Sequence, residues 1–122
     1  MYLIRAEARA RNNQEGPALQ DLNDLRAARI SGYTPVSGLT GSALLTEIAN
    51  ERRRELIAEG HRFFDLKRTT RTITRGSTCG NITLSPSGSC TLASSAREWA
   101  LPIPEFVTTA NANAKQNPGY PQ

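Results

Sequence analysis

The sequence is poor in the residues that usually carry chemistry. Among 122 residues there is one histidine, His61, one tryptophan, Trp99, and two cysteines, Cys79 and Cys90. A lone histidine excludes a histidine-rich metal centre, and no H-E-x-x-H or comparable ligand spacing is present. Two cysteines with no histidine near them are too few for a thiolate zinc site. Any nucleophile–base pair would have to use His61, and nothing beside it reads as an activated nucleophile. Gly76, Gly80 and Gly88 lie scattered among Ser and Thr, with no strand before them and no helix after, which excludes a phosphate-binding loop. No stretch approaches the roughly 20 apolar residues of a membrane helix. Residues 2–11, YLIRAEARAR, are too charged for a signal peptide, so an export signal is expected upstream of this sequence. No cofactor is implied.

What is present is charge and helical periodicity. The net charge is +4, hydrophobic residues make up 38% and charged residues 21%, an ordinary globular balance. The basic residues are interleaved with acidic ones, as in Asn50-Glu51-Arg52-Arg53-Arg54-Glu55. A nucleic-acid surface would show an uncompensated basic face with aromatics for stacking, so no nucleic-acid partner is expected. Residues 62–75 are locally basic and read as a solvated helix end and loop.

Leu3, Ala6 and Ala10 recur at helical spacing over residues 2–12, and the small Ala6, Ala8 and Ala10 allow close approach of a second helix. After the polar turn at 12–16, Pro17 fits the first turn of a helix whose stripe is Leu19, Leu22, Leu25 and Ala28. Residues 1–30 therefore form a helical hairpin, which cannot bury both its faces alone. Residues 31–41 are a Gly/Pro loop. Ser42 is the expected N-cap of a long helix over 42–68. Its buried face is Leu44, Leu45, Ile48, Ala49, Leu56 and Ile57, and Gly60 marks either its end or a kink where another backbone comes close. Glu47, Glu51, Glu55 and Glu59 recur every four residues. Arg52, Arg53 and Arg54 interleave them, setting Glu51–Arg54, Arg52–Glu55 and Glu59–Arg62 at i,i+3.

Residues 69–97 are a Ser/Thr/Gly-rich variable loop, in which Arg71–Thr74 and Asn81–Leu84 are the strand candidates. Alternating prolines make 98–104 extended, and Pro104 to Val107 opens a last short helix. The fold class is all-α: a helical hairpin plus a long helix, with an irregular, loop-rich C-terminal segment over 98–122.

Glu55, Glu59, His61 and Asp65 form the one cluster worth testing for catalysis. Arginines flank every carboxylate in it, which lowers a carboxylate's pKa when an acid catalyst needs it raised. The cluster reads as structural and the protein as no enzyme. Trp99, beside Leu101, Ile103 and Pro104, reads as a core anchor before a sugar platform. Tyr33, in its Gly/Pro loop, is the candidate for ligand contact. Cys79 and Cys90 bracket ten residues of loop and would gain roughly 2–3 kcal/mol from a disulfide in an oxidising compartment, with two free thiols as the alternative. Asn81-Ile82-Thr83 matches the glycosylation sequon.

Two segments together resemble a known family. Residues 50–68, NERRRELIAEGHRFFDLKR, are similar to the signature helix of the SusD/RagB family. Residues 99–120, WALPIPEFVTTANANAKQNPGY, resemble its C-terminal end, and Tyr2 to Arg26 resembles its last tetratricopeptide-like hairpin. The resemblance implies the C-terminal portion of a surface-exposed outer-membrane lipoprotein, whose lipid anchor lies outside this sequence. Such proteins bind an oligosaccharide or other nutrient and pass it uncleaved to a SusC-like TonB-dependent transporter. It also implies structural roles for Glu51, Arg54, Glu55, Glu59, Arg62 and Asp65 in locking the long helix, and for Trp99 and Tyr120 in docking the tail. The alternative is a helical-repeat scaffold that binds another protein.

Overall fold

The computed structural model describes residues 1–76 and 89–121. The chain divides into two units, Met1–Arg62 and Phe63–Gln122.

In the first unit, α1 (Tyr2–Arg11) and α2 (Glu15–Arg29) form the expected hairpin, and α3 (Gly41–Glu55) packs against both. Its core is Leu3 and Ala6 of α1, Ala18 and Leu22 of α2, and Leu44 and Ile48 of α3. Ala6 and Ala18 are fully buried. Each offers only a methyl group, so the helices approach closely there. The turn between α1 and α2 passes through Asn13 at φ 57, a left-handed position that asparagine tolerates. The Gln14 N–H then closes it on the Arg9 carbonyl at 2.9 Å.

Three details differ from the sequence reading. Helix α2 starts at Glu15, two residues before Pro17, which occupies the third helical position; an N–H there has no intrahelical partner, so proline loses nothing. Ala28 is exposed, and the buried stripe of α2 runs instead through Ala18, Asp21, Leu22 and Arg26. Ser42 is not the N-cap. Thr40 holds that position without a side-chain cap bond, and Glu15 accepts the Gly41 N–H at 2.6 Å from the neighbouring helix.

The long helix expected over 42–68 is two helices. α3 stops at Glu55, and α4 (His61–Arg68) starts after a turn in which Ala58 and Gly60 both take positive φ, 64 and 76. A Cβ on Gly60 would meet nothing within 4 Å. Conformation, not close approach of another backbone, is what the glycine supplies. The break turns Ile57, expected on the buried face, out to solvent at 78% exposure.

The second unit is built on Leu66 of α4, Leu92 and Trp99, with Ile73 and Ala96 at the margin. Ile73–Thr74 (β1) pairs antiparallel with Thr91–Leu92 (β2), Ile73 opposite Leu92. The partner of the 71–74 segment is thus 91–92 and not 81–84. Asn81–Leu84, the sequon at Asn81, and Cys79 with its expected pairing to Cys90 lie outside the described residues.

Beyond a single 3-10 turn at Arg97–Trp99, Leu101 to Pro104 runs extended and α5 (Glu105–Ala110) follows, as the prolines require. Pro102 and Pro104 have no N–H, so this segment cannot recruit a full strand partner. A side chain does the work instead. Gln116 accepts the Ile103 N–H at 2.7 Å and donates to the Ile103 carbonyl at 2.8 Å, and Asn117 donates to the Leu101 carbonyl at 2.6 Å.

Candidate functional site

The charged residues of the first unit form two clusters that frame its helices. Arg5 and Arg9, one turn apart on α1, both donate to Asp21 of α2, at 2.7 and 2.8 Å, and Asp21 is 1% exposed. The i,i+4 spacing places both guanidinium groups on one face, so a single buried carboxylate can accept from both. The hydrogen bond to Asp21, then its charge, raises the Arg5 pKa.

The second cluster joins α2 to α3. Arg26 is buried; its Nε donates to Glu51 at 2.7 Å and its Nη2 to Glu47. Arg54 closes the group on Glu51 at 2.7 Å and on Glu47 at 3.2 Å. Burial would depress the Arg26 pKa, but hydrogen bonds to Glu47, Glu51 and Tyr33 outweigh it and the pKa rises. Glu47 is held below the usual carboxylate range by its bond to Arg26 against some desolvation. For Glu51, desolvation is the largest influence and pushes upward, yet the bonds from Arg54 and Arg26 win and the pKa falls. One turn further along, Arg29 donates to Glu55 at 2.9 Å, and that bond raises the Arg29 pKa. Arg26 and Arg29 of α2 thus meet Glu47, Glu51 and Glu55 of α3 in register.

The expected Glu51–Arg54 pair is present, within a larger group. Glu55 is held across the helices by Arg29. Glu59 is exposed in the turn between α3 and α4, and Arg62 is exposed on α4. Asp65, on α4, is bound by Arg68 at 2.9 Å. No group of three or more metal-ligating side chains is found among the described residues. The sequence reading missed Asp21 and Arg26. The signal was there: Ala18, Asp21, Leu22 and Leu25 share one helical stripe, as do Leu44, Ile48 and Glu51. A charged residue inside an apolar stripe announces a buried partner.

Trp99 is 7% exposed, and its indole N–H donates to the Ala93 carbonyl at 2.7 Å. The Phe63 ring centroid lies 5.2 Å from that of Trp99, and Lys67 donates to the Trp99 carbonyl at 3.2 Å. Tyr120 lies under the Arg97 guanidinium at 4.9 Å, and Arg97 donates to the Gly119 carbonyl. Tyr33 is half-buried, and its hydroxyl donates to Asn23 at 2.7 Å. Asn23 also accepts the Val36 N–H at 3.1 Å and donates to the Val36 carbonyl at 2.9 Å, so Tyr33 belongs to a clasp that holds the 31–41 loop on α2.

A groove of about 360 Å³ lies between the first turn of α1 and the last turns of α2 and α3. Its lining includes Met1, Tyr2, Leu25, Arg29, Arg52, Glu55 and His61. Of the four residues weighed for catalysis and read as structural, Glu55 and His61 share this groove; Glu59 and Asp65 do not line it.

Residues 1–120 match the model of the SusD family. The chain belongs to the SusD family. A SusD superfamily protein of Bacteroides vulgatus is 35% identical over 99% of this chain, with a TM-score of 0.71. A SusD-like carbohydrate binding protein from the same organism is 29% identical over 92%, with a TM-score of 0.70. A third structure from that organism, of a proposed sugar binding protein, is 31% identical over 98%, with a TM-score of 0.72. The chain spans about a quarter of each of these SusD-type structures, 26% or 27% of their length. No curated protein matches it. The mostly helical fold agrees with this family, as the motifs at 50–68 and 99–120 imply.

Proposed function

We propose that this chain is a portion of a carbohydrate-binding protein of the bacterial cell surface, and that the protein binds its sugar without cleaving it. The observation that carries the reading is the likeness to a SusD-like carbohydrate binding protein across 92% of the chain. Its finer parts follow the family resemblance. The protein sits on the outer membrane by a lipid anchor, takes up an oligosaccharide or related nutrient, and hands it to a SusC-like TonB-dependent transporter. The helical unit is a tetratricopeptide-like frame in this reading.

The electrostatics support binding without catalysis. Glycoside hydrolysis needs a carboxylic acid kept protonated near neutral pH. Here Glu47 and Glu51 are held ionised by arginines and Glu55 is tied to Arg29.

Affinity purification of the tagged protein from solubilised outer membranes, with mass spectrometry of what accompanies it, tests the transport part. A stoichiometric TonB-dependent barrel is expected. A soluble partner with no barrel would sink that part and favour a helical protein-binding scaffold. A glycan array probed with the same preparation tests the sugar part, and an array without signal would overturn it.

A further inference from the structure

We propose that the disulfide of Cys90 is a redox latch on the Trp99 core: closed, it keeps β1 and β2 paired and Trp99 seated, and its reduction by a dithiol releases both. Cys90 is disulfide-bonded, and Cys79 is the one other cysteine in the sequence. Strand β2 begins at the residue after Cys90. The Arg75 N–H donates to the Cys90 carbonyl at 3.0 Å, one rung beyond the Thr74–Thr91 pair. Cys90 therefore stands where the strand ladder meets the loop. Each strand has two residues, well short of a typical strand, and even a two-stranded hairpin of ordinary length is marginal in water. Closing a long loop between such strands costs entropy that so few hydrogen bonds do not offset. The core beneath is small as well: Leu66, Leu92 and Trp99, with Ile73 and Ala96 at its margin. A fold with this little burial leans on a covalent tie.

A short run of chain couples Cys90 to Trp99. Leu92, opposite Ile73, is buried in the same core as Trp99. The next carbonyl, that of Ala93, accepts the Trp99 indole N–H at 2.7 Å. When β2 drifts from β1, Leu92 leaves the core and the indole N–H loses its acceptor. A buried donor without a partner is unfavourable until the ring moves to water. Phe63, whose ring centroid lies 5.2 Å from that of Trp99, and Lys67, which donates to the Trp99 carbonyl, then lose their partner too. The chemistry is thiol–disulfide exchange. One thiolate of a dithiol attacks a sulfur of the bridge and expels the other as a thiolate. The second thiolate of the reagent then displaces the protein sulfur from the mixed disulfide. The dithiol leaves oxidised, and Cys79 and Cys90 together take up two electrons and two protons. Cys90 is half-buried and so within reach of such a reagent, and an oxidising compartment keeps the latch closed.

The chain has one tryptophan, so its fluorescence reads this site alone. Iodoacetamide applied to the denatured chain should label neither cysteine before treatment with dithiothreitol and both after it. Reduction should raise the quenching of Trp99 by acrylamide and lower the melting temperature followed by its emission by about 10 °C or more. The far-ultraviolet helical signal, carried mostly by α1, α2 and α3, should stay. Cys79→Ser and Cys90→Ser should each behave as the reduced chain from the start and ignore the reductant. Should Cys90→Ser fail to fold, the reduced parent chain and Cys79→Ser give the reading. Labelling of both cysteines without reductant would overturn the latch. So would unchanged quenching and melting in a chain whose two thiols have both become reactive. Loss of the helical signal together with that of Trp99 would overturn it too, because the bridge would then hold the whole chain and not the Trp99 core.

Discussion

Glu51 and Glu59 occupy equivalent places in the sequence pattern and opposite places in the molecule. Glu51 is 6% exposed and accepts from Arg26 and Arg54. Glu59 is exposed in a turn. Removing one partner of a buried pair leaves the other charge uncompensated in a poorly solvated place. Glu51→Ala should therefore cost about 3 kcal/mol, at the low end for such groups because Glu47 still holds Arg26. Glu59→Ala should stay within about 0.5 kcal/mol. Chemical denaturation of the two variants side by side checks both. Gly119 is a second residue whose identity is forced. Its φ is 87, and an added Cβ would lie 3.1 Å from Arg97 Cδ. Gly119→Ala should release Arg97 from Tyr120, seen as a loss of tyrosine near-ultraviolet circular dichroism with the helical signal retained.

Among the elements, the hairpin and the break after α3 answer to different causes. The hairpin follows from apolar spacing, and Leu22 is its centre, fully buried between α1 and α3. Leu22→Ala should cost about 2–5 kcal/mol, because the cavity can collapse only in part between three helices. The break follows from backbone conformation. Gly60→Ala places a second alanine near Ala58 in the left-handed region at a cost of about 1–2 kcal/mol. The same substitution raises helix propensity, so it should draw α3 and α4 toward one continuous helix. Carbon-13 secondary shifts over residues 56–60 would reveal it. Unchanged shifts would mean that tertiary packing, not Gly60, sets the break.

For the whole molecule, acid stability depends on the cluster that joins α2 to α3. Glu47 and Glu51 have pKa values lowered from the ordinary 4.5. A group whose folded pKa is depressed stabilises the native state above its unfolded pKa, and that stability is lost as pH falls through the folded value. The melting temperature should thus be flat through neutral pH down to about pH 5 and should fall below about pH 4.5. A melting series in pH checks this, and Glu51→Gln should flatten the fall.

The helical hairpin, the extended Leu101 to Pro104 segment, the short helix after Pro104 and the family itself were all legible in the sequence. Apolar spacing, proline's missing N–H and two distinctive motifs act over a few residues and need no knowledge of the rest of the chain. Three things were not legible: that Arg26 meets Glu47 and Glu51, that β1 pairs with 91–92, and that Tyr2, Arg29 and His61 share a groove. The partners of Arg26 lie 21 and 25 residues away, and no local propensity selects one carboxylate among several at that distance. Only the packing of α1 and α2 against α3 brings those side chains within hydrogen-bond reach. The break at Gly60 stands between the two cases. The glycine was visible, but whether it ended the helix or bent it rested on Ala58 also accepting a left-handed turn, which local preference alone disfavours.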